Sequence, residues 1–226
     1  MAHMHKHRLL FSKTGRACYI SHLDLMRTFP RAFLRAGLNA KQTEGFNQHT
    51  FVSIALPLSL GYASRCEILE FELLDDISLT EVPAKLNAVL PEGLEVLSCY
   101  EAQIPVRQIA WVDWRCRIIF DGGVPPEAAD AFRALYDVDS LVVKKPSKKA
   151  KKGYTEVDLI PMIHSLQLMQ TEDTVLELRA VLSAQNPGLN PELVISTARA
   201  NSPVFQPDFV EFERLDFLND SFAVMR

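Results

Sequence analysis

Ser21, His22 and Asp24 lie within a few residues of one another in YISHLDLMRTFPRAFLRAGL, positions 19 to 38. These are the side-chain types from which hydrolases assemble a nucleophile, a base and an orienting carboxylate. The same residues have a plainer use. Ser21 and Asp24 stand at i and i+3 ahead of an apolar periodic run, which matches a capping box, each side chain satisfying a free backbone N–H at a helix start. Capping accounts for both residues and asks nothing of His22, which the first turn is expected to leave near the surface.

Further along the same helix, Arg27, Arg31 and Arg35 fall at i, i+4 and i+8, a stripe about 12 Å long. Like charges so spaced repel. The stripe reads either as a solvated face whose alkyl stems cover the core or as a track for phosphates, extended by Lys13 and Arg16 just before the helix. Pro30 removes one backbone hydrogen bond, so a kink or a restart is expected there, with Thr28 as a second cap.

Two other stretches carry polar chemistry. In EGFNQH (44 to 49) Asn47 and His49 flank one residue of a loop entering a strand, and Gly45 permits an unusual turn. The loop either hydrogen-bonds its own backbone or joins His22 in a pocket for a nucleotide or phosphate, with His22 and His49 as candidate acid–base groups. Two histidines without a third ligand make a poor metal cage, so neither metal nor cofactor is expected. KKPSKKAKKG (144 to 153) holds Lys144, Lys145, Lys148, Lys149, Lys151 and Lys152, an exposed hairpin tip that either solubilises the chain or grips a phosphate backbone. Tyr154 then reads as a core residue or a base-stacking one. His164, among Met162, Ile163 and Leu166, reads as structural.

The charge balance favours the phosphate readings. The net charge of −4 hides an uneven distribution: residues 1 to 41 carry eight Lys/Arg against one acid, and residues 144 to 152 carry six Lys and no acid. Basic zones in an acidic chain are how a polyanion site coexists with an ordinary pI. Cys18, Cys66, Cys99 and Cys116 form no C-x-x-C pair and read as thiols in a reducing compartment. No stretch approaches the roughly 18 to 20 apolar residues of a membrane helix. A cytoplasmic location without membrane association follows as the expectation. Met1 to Met4 (MAHM) resemble a cloning remnant, so His3, His5 and His7 are not counted as ligands.

Periodicity predicts the elements that position these groups. RLLFSK (8–13) is a strand, followed by a helix over about 22–36 stopped at Gly37. FVSIALPL (51–58) and CEILEFEL (66–73) are strands, SLTEVPAKLNAVL (78–90) a helix capped by Ser78, and LEVLSCY (94–100) a strand. The order β-α-β-β-α-β then recurs from WVDWRCRIIF (111–120) to DFVEFERLDFL (208–218), through helices over 125–136 and 191–199. The expected fold is α+β, two tandem ferredoxin-like units with antiparallel sheets. Residues 1–104 carry the SHLD and GFNQH motifs, and 105–226 the lysine-rich hairpin.

YISHLDLMR, EGFNQH, ALPLSLG (55–61) before CEILEFEL, and KKAKKGYTEVDLIPMI (148–163) occur in the order typical of the radical-SAM-linked protein family, a bacterial domain of unknown function, which this chain resembles. The family's usual Ser-Gln-Gly-Phe-Asn-Pro-His-Pro loop is altered here: Thr43 and Glu44 precede Gly45, and Gln48 and Thr50 replace the prolines. The resemblance implies a radical-SAM protein as partner. The chain lacks the C-x3-C-x2-C cluster signature, so it is not itself the radical enzyme. The expected function is a non-catalytic RNA-binding accessory subunit that presents tRNA or rRNA to that enzyme. The alternatives are a metal-independent RNA endonuclease using His22 or His49, and a protein-interaction module without a nucleic-acid role.

Overall fold

The computed structural model describes residues 6–46, 48–146 and 153–226. The chain is a mixed α+β protein with mostly antiparallel sheet and four α-helices among the described residues. It divides into two compact units, one of residues 1–108 with 213–216 and 224–226, the other of 109–212 with 217–223.

In the first unit β1 (His7–Lys13) leads through a 3-10 turn (Gly15–Tyr19) to α1 (His22–Arg35). There follow β2 (Ser53–Ile54), β3 (Ala63–Phe71), α2 (Val82–Asn87) and β4 (Leu94–Glu101). β1 is paired antiparallel on one side with β3 and on the other with β4, while β2 extends β3 antiparallel. With both edges paired and helices to cover, β1 is buried from Arg8 to Lys13. α1 and α2 lay Phe29, Phe33, Val82 and Leu86 onto Leu9, Phe11, Leu69 and Phe71. The Phe11–Phe29 and Phe33–Phe71 ring centroids are each 4.8 Å apart, a spacing that adds to simple apolar burial.

α1 ends as its sequence requires. Gly37 takes φ +66°, its N–H donates to Leu34 O, and the Leu38 N–H reaches back to Phe33 O at 3.0 Å. This is a complete Schellman closure. At Gly93 (φ +87°) a side chain would collide with the Thr14 carbonyl, where the backbone must pass close beneath the 3-10 turn.

Several expectations change. Pro30 does not restart α1, which is a single helix from His22 to Arg35, because the packing of Phe29, Ala32 and Phe33 holds both halves on the same core. The 51–58 run yields only the two-residue β2, since Leu56 turns to φ +44° ahead of Pro57 and a proline cannot donate to a ladder. The 78–90 helix shrinks to Val82–Asn87, and the Ser78 hydroxyl bonds Thr80 Oγ1 rather than capping.

The second unit contains β5 (Trp111–Ile119), α3 (Ala128–Tyr136), β6 (Val142–Pro146) and β7 (Tyr154–Asp158). β8 (Ile163–Glu172), β9 (Val175–Ser183), α4 (Pro191–Asn201) and β10 (Phe209–Leu218) complete it. β9 pairs antiparallel with β5 and with β8, and β10 neighbours β5. β6 and β7 form a separate antiparallel pair. Val112, Trp114, Cys116 and Ile118 alternate inward along β5 and pack in a core with Phe132, Leu178, Val194 and Phe205. Glu213–Asp216 of β10 belong to the first unit, where Glu213 and Arg214 run parallel to Ala63 and Ser64 of β3, so that unit's sheet is not wholly antiparallel.

Candidate nucleic-acid interface

The segment from Lys13 to Arg35 is built in three steps: the end of β1, the 3-10 turn, and α1. Ser21 caps α1, its Oγ accepting from the Asp24 N–H at 3.1 Å while its own proton goes to Asp24 Oδ2 at 2.7 Å. A hydroxyl already engaged by the carboxylate three residues on is a cap, and no serine–histidine relay is formed. His22 is half-buried, and its Nδ1 is buried without a hydrogen-bond partner. It sits deeper than the first turn alone predicts.

Arg27, Arg31 and Arg35 are all exposed on α1. Arg27 approaches Asp24 Oδ1 at 3.4 Å, and Arg35 donates to Val89 O at 2.9 Å. Arg31 makes no hydrogen bond or ion pair among the described residues, and neither does exposed Arg16. Leu23 and Leu34 (81 % exposed) share this outward side of the helix.

Lys13 departs from the expected track. It is 1 % exposed, and its ammonium donates to Cys18 O at 2.7 Å and Tyr62 O at 3.4 Å beneath the turn. Burial lowers its pKa, opposed by the nearby Cys18 and Glu67. Because β1 is paired on both edges, a lysine at its end is folded into the core and does not meet a surface phosphate. Beside it lies a buried ion pair, Arg214 Nη1 to Glu67 Oε1 at 2.8 Å, and the same guanidinium nitrogen donates to Leu56 O at 2.9 Å. Glu67 Oε2 is buried with no hydrogen-bond partner.

The 43–50 loop closes on itself. Thr43 N donates to His49 O at 2.7 Å, His49 N to Thr43 Oγ1 at 3.2 Å, and His49 Nδ1 shares a 3.2 Å bond with the same hydroxyl. His49 is exposed, Gly45 adopts φ +115° and Phe46 is fully exposed. Asn47 lies outside the described residues, as do Lys148, Lys149, Lys151 and Lys152. Lys144 and Lys145 are exposed on β6, and the Lys144 ammonium stands 4.8 Å from the centre of the half-buried Tyr154 ring. That face of Tyr154 is occupied by the chain's own cation. His164 is exposed and stacks on Phe222 at 3.9 Å.

Two features escape the sequence reading: Tyr19, 70 % exposed at the end of the 3-10 turn, and the open Phe46. The signal available for Tyr19 was its spacing of three from Arg16. The four cysteines are free, three buried and Cys99 half-buried. Burial pushes the Cys66 thiol up, and holds Cys99 and Cys116 at about 12. No cluster of three or more potential metal ligands occurs among the described residues. No helix there is long and apolar enough to cross a membrane.

Fold and site together define an α+β chain in which a helix with exposed arginines covers a hydrophobic core. By sequence it belongs to the family described as "Uncharacterized protein conserved in bacteria (DUF2344)", which matches residues 6–191. No curated protein matches it. Among solved structures it is similar to a chain of the Cbf5-Nop10-Gar1 complex, with TM-score 0.52 and 8 % identity over 92 % of this chain. This chain spans about half (47 %) of that one's length, and the likeness concerns fold alone. An unknown protein from Galdieria sulphuraria also matches at TM-score 0.26 and 11 % identity, over 93 % of this chain and 98 % of that one.

Proposed function

We propose that this protein is a non-catalytic RNA-binding accessory subunit that presents its RNA to a separate radical-SAM enzyme. The observation that carries the binding reading is the outward side of α1. Arg27 and Arg31 are exposed one turn apart, Arg16 precedes them, and Asp24 is the sole acid among residues 1 to 41. Arg31 has no acid paired with it among the described residues, and Arg27 meets only Asp24, at 3.4 Å on the open surface; guanidinium groups so placed on a helix suit phosphate oxygens. The capped, mutually bonded Ser21 and Asp24 favour a binding role over hydrolysis. The radical-SAM partner rests on the family resemblance of the YISHLDLMR and EGFNQH motifs. Both units are read as ferredoxin-like. Sheet order β4-β1-β3-β2 in the first and β10-β5-β9-β8 in the second support that reading.

Titration with bulk tRNA at several salt concentrations tests the function. Three arginine–phosphate contacts, from Arg16, Arg27 and Arg31, give a slope of log K against log salt on the order of −2 to −3. Arg31→Ala is expected to weaken binding and flatten the slope by about 0.7 to 0.9, while stability stays within about 0.5 kcal/mol of wild type. Absence of binding at about 50 mM salt, where such contacts are strong, refutes the proposal.

A further inference from the structure

Tyr19 ends the 3-10 turn with 70 % of its surface open and makes no hydrogen bond or ring contact among the described residues. A 3-10 helix has three residues per turn, so side chains at i and i+3 eclipse. Arg16 and Tyr19 therefore project from the same side. The turn beneath them is fixed: Ala17 and Cys18 are buried, and the Cys18 carbonyl receives both the Lys13 ammonium at 2.7 Å and the Gly61 N–H at 2.9 Å. Even a methyl group at Gly61 would come within 3.9 Å of Tyr19 Cε1. That edge of the ring thus faces a residue with no side chain to cover it.

An aromatic ring held open on a rigid turn, with a free guanidinium on the same side and Arg27 and Arg31 following on α1, combines a stacking surface with backbone contacts. We propose that Tyr19 stacks on an unpaired base while Arg16 takes the adjoining phosphate, so that the ligand is a single-stranded RNA segment, a loop or an end, and not a duplex. This rests on the RNA-binding reading and narrows it. Duplex RNA keeps its base faces stacked inside the helix, where no side chain reaches them, whereas an unpaired base offers its face to an aromatic ring.

The test compares a short single-stranded oligoribonucleotide with its duplex, using the full chain and fluorescence anisotropy. Wild type is expected to prefer the single strand. Tyr19→Ala should lose roughly 5- to 150-fold on the single strand, with duplex affinity and salt slope unchanged. Tyr19→Phe should keep the single-strand affinity, since stacking does not need the hydroxyl. Equal affinity for both probes, or a Tyr19→Ala loss that is absent or the same on both, overturns the stacking proposal and leaves RNA binding standing. If wild type binds neither probe, the RNA-binding reading falls with it. Displacement of the oligonucleotide by polyglutamate as readily as by unlabelled strand assigns the surface to an acidic protein and overturns both.

Discussion

Arg8 and Lys13 on β1 and Arg16, Arg27 and Arg31 beyond it come from one basic stretch, yet the fold puts them to opposite uses. Arg8 is buried against Glu70, with Nε and Nη2 3.1 and 2.8 Å from one carboxylate oxygen. Lys13 is buried under backbone carbonyls, next to the Glu67–Arg214 pair. Arg16 and Arg31 lie exposed and make no hydrogen bond or ion pair among the described residues. A count of charges along a chain is therefore not a count of charges on its surface. The strand's cations are enclosed by the fold, and those of the turn and helix are left on its surface.

The largest effect that can break this contrast is expected at Glu67. Glu67→Ala removes the carboxylate facing Arg214 and the nearby Lys13, and is expected to cost about 3 to 5 kcal/mol in urea denaturation, the penalty of a buried charge losing its partner. A loss no larger than that of an exposed substitution would mean that the buried pair is dispensable. Lys13 sharpens the same contrast through pH. Because burial lowers its pKa from the ordinary 10.5, the unfolded chain keeps the lysine proton to higher pH than the folded one. Stability should then rise with pH over the interval below 10.5, where the folded amine is already neutral and the unfolded one still charged. Lys13→Met should lack that rise, and parallel profiles for the two proteins would contradict it. The smallest effect belongs to the exposed end: Ser21→Ala should lower stability by about 1 kcal/mol through loss of the cap and leave RNA affinity unchanged. Intact stability with a lost cleavage activity would instead revive the serine as nucleophile.

What local sequence encodes was legible. The Ser21 cap, the length of α1 and its Gly37 stop each depend on residues within one or two turns, and all three are present. The burial of Lys13 was not legible, because a lysine ending a strand looks exposed unless both neighbouring strands are known. The acceptor of Arg214 was equally hidden, since the Leu56 carbonyl it reaches lies 158 residues away. His22 and His49 were singled out because neither capping nor periodicity accounts for them. The 43–50 loop spends Thr43 and His49 on closing itself, as a loop of polar residues commonly does. Tyr19 lies beside Gly61, forty-two positions on in the sequence, and no periodicity announces such a neighbour.

The state of the four thiols sets how the outward side of α1 can be labelled. Only the thiolate reacts appreciably with maleimides or disulfide reagents, and Cys99 and Cys116, held at about 12, carry almost none of it at neutral pH. Cys18 and Cys66 are likewise buried and shifted upward. A single cysteine introduced at an open position on α1, such as Leu34, would therefore take a fluorophore or spin label far ahead of the native four. A reporter can be attached beside the arginines with every natural cysteine left in place.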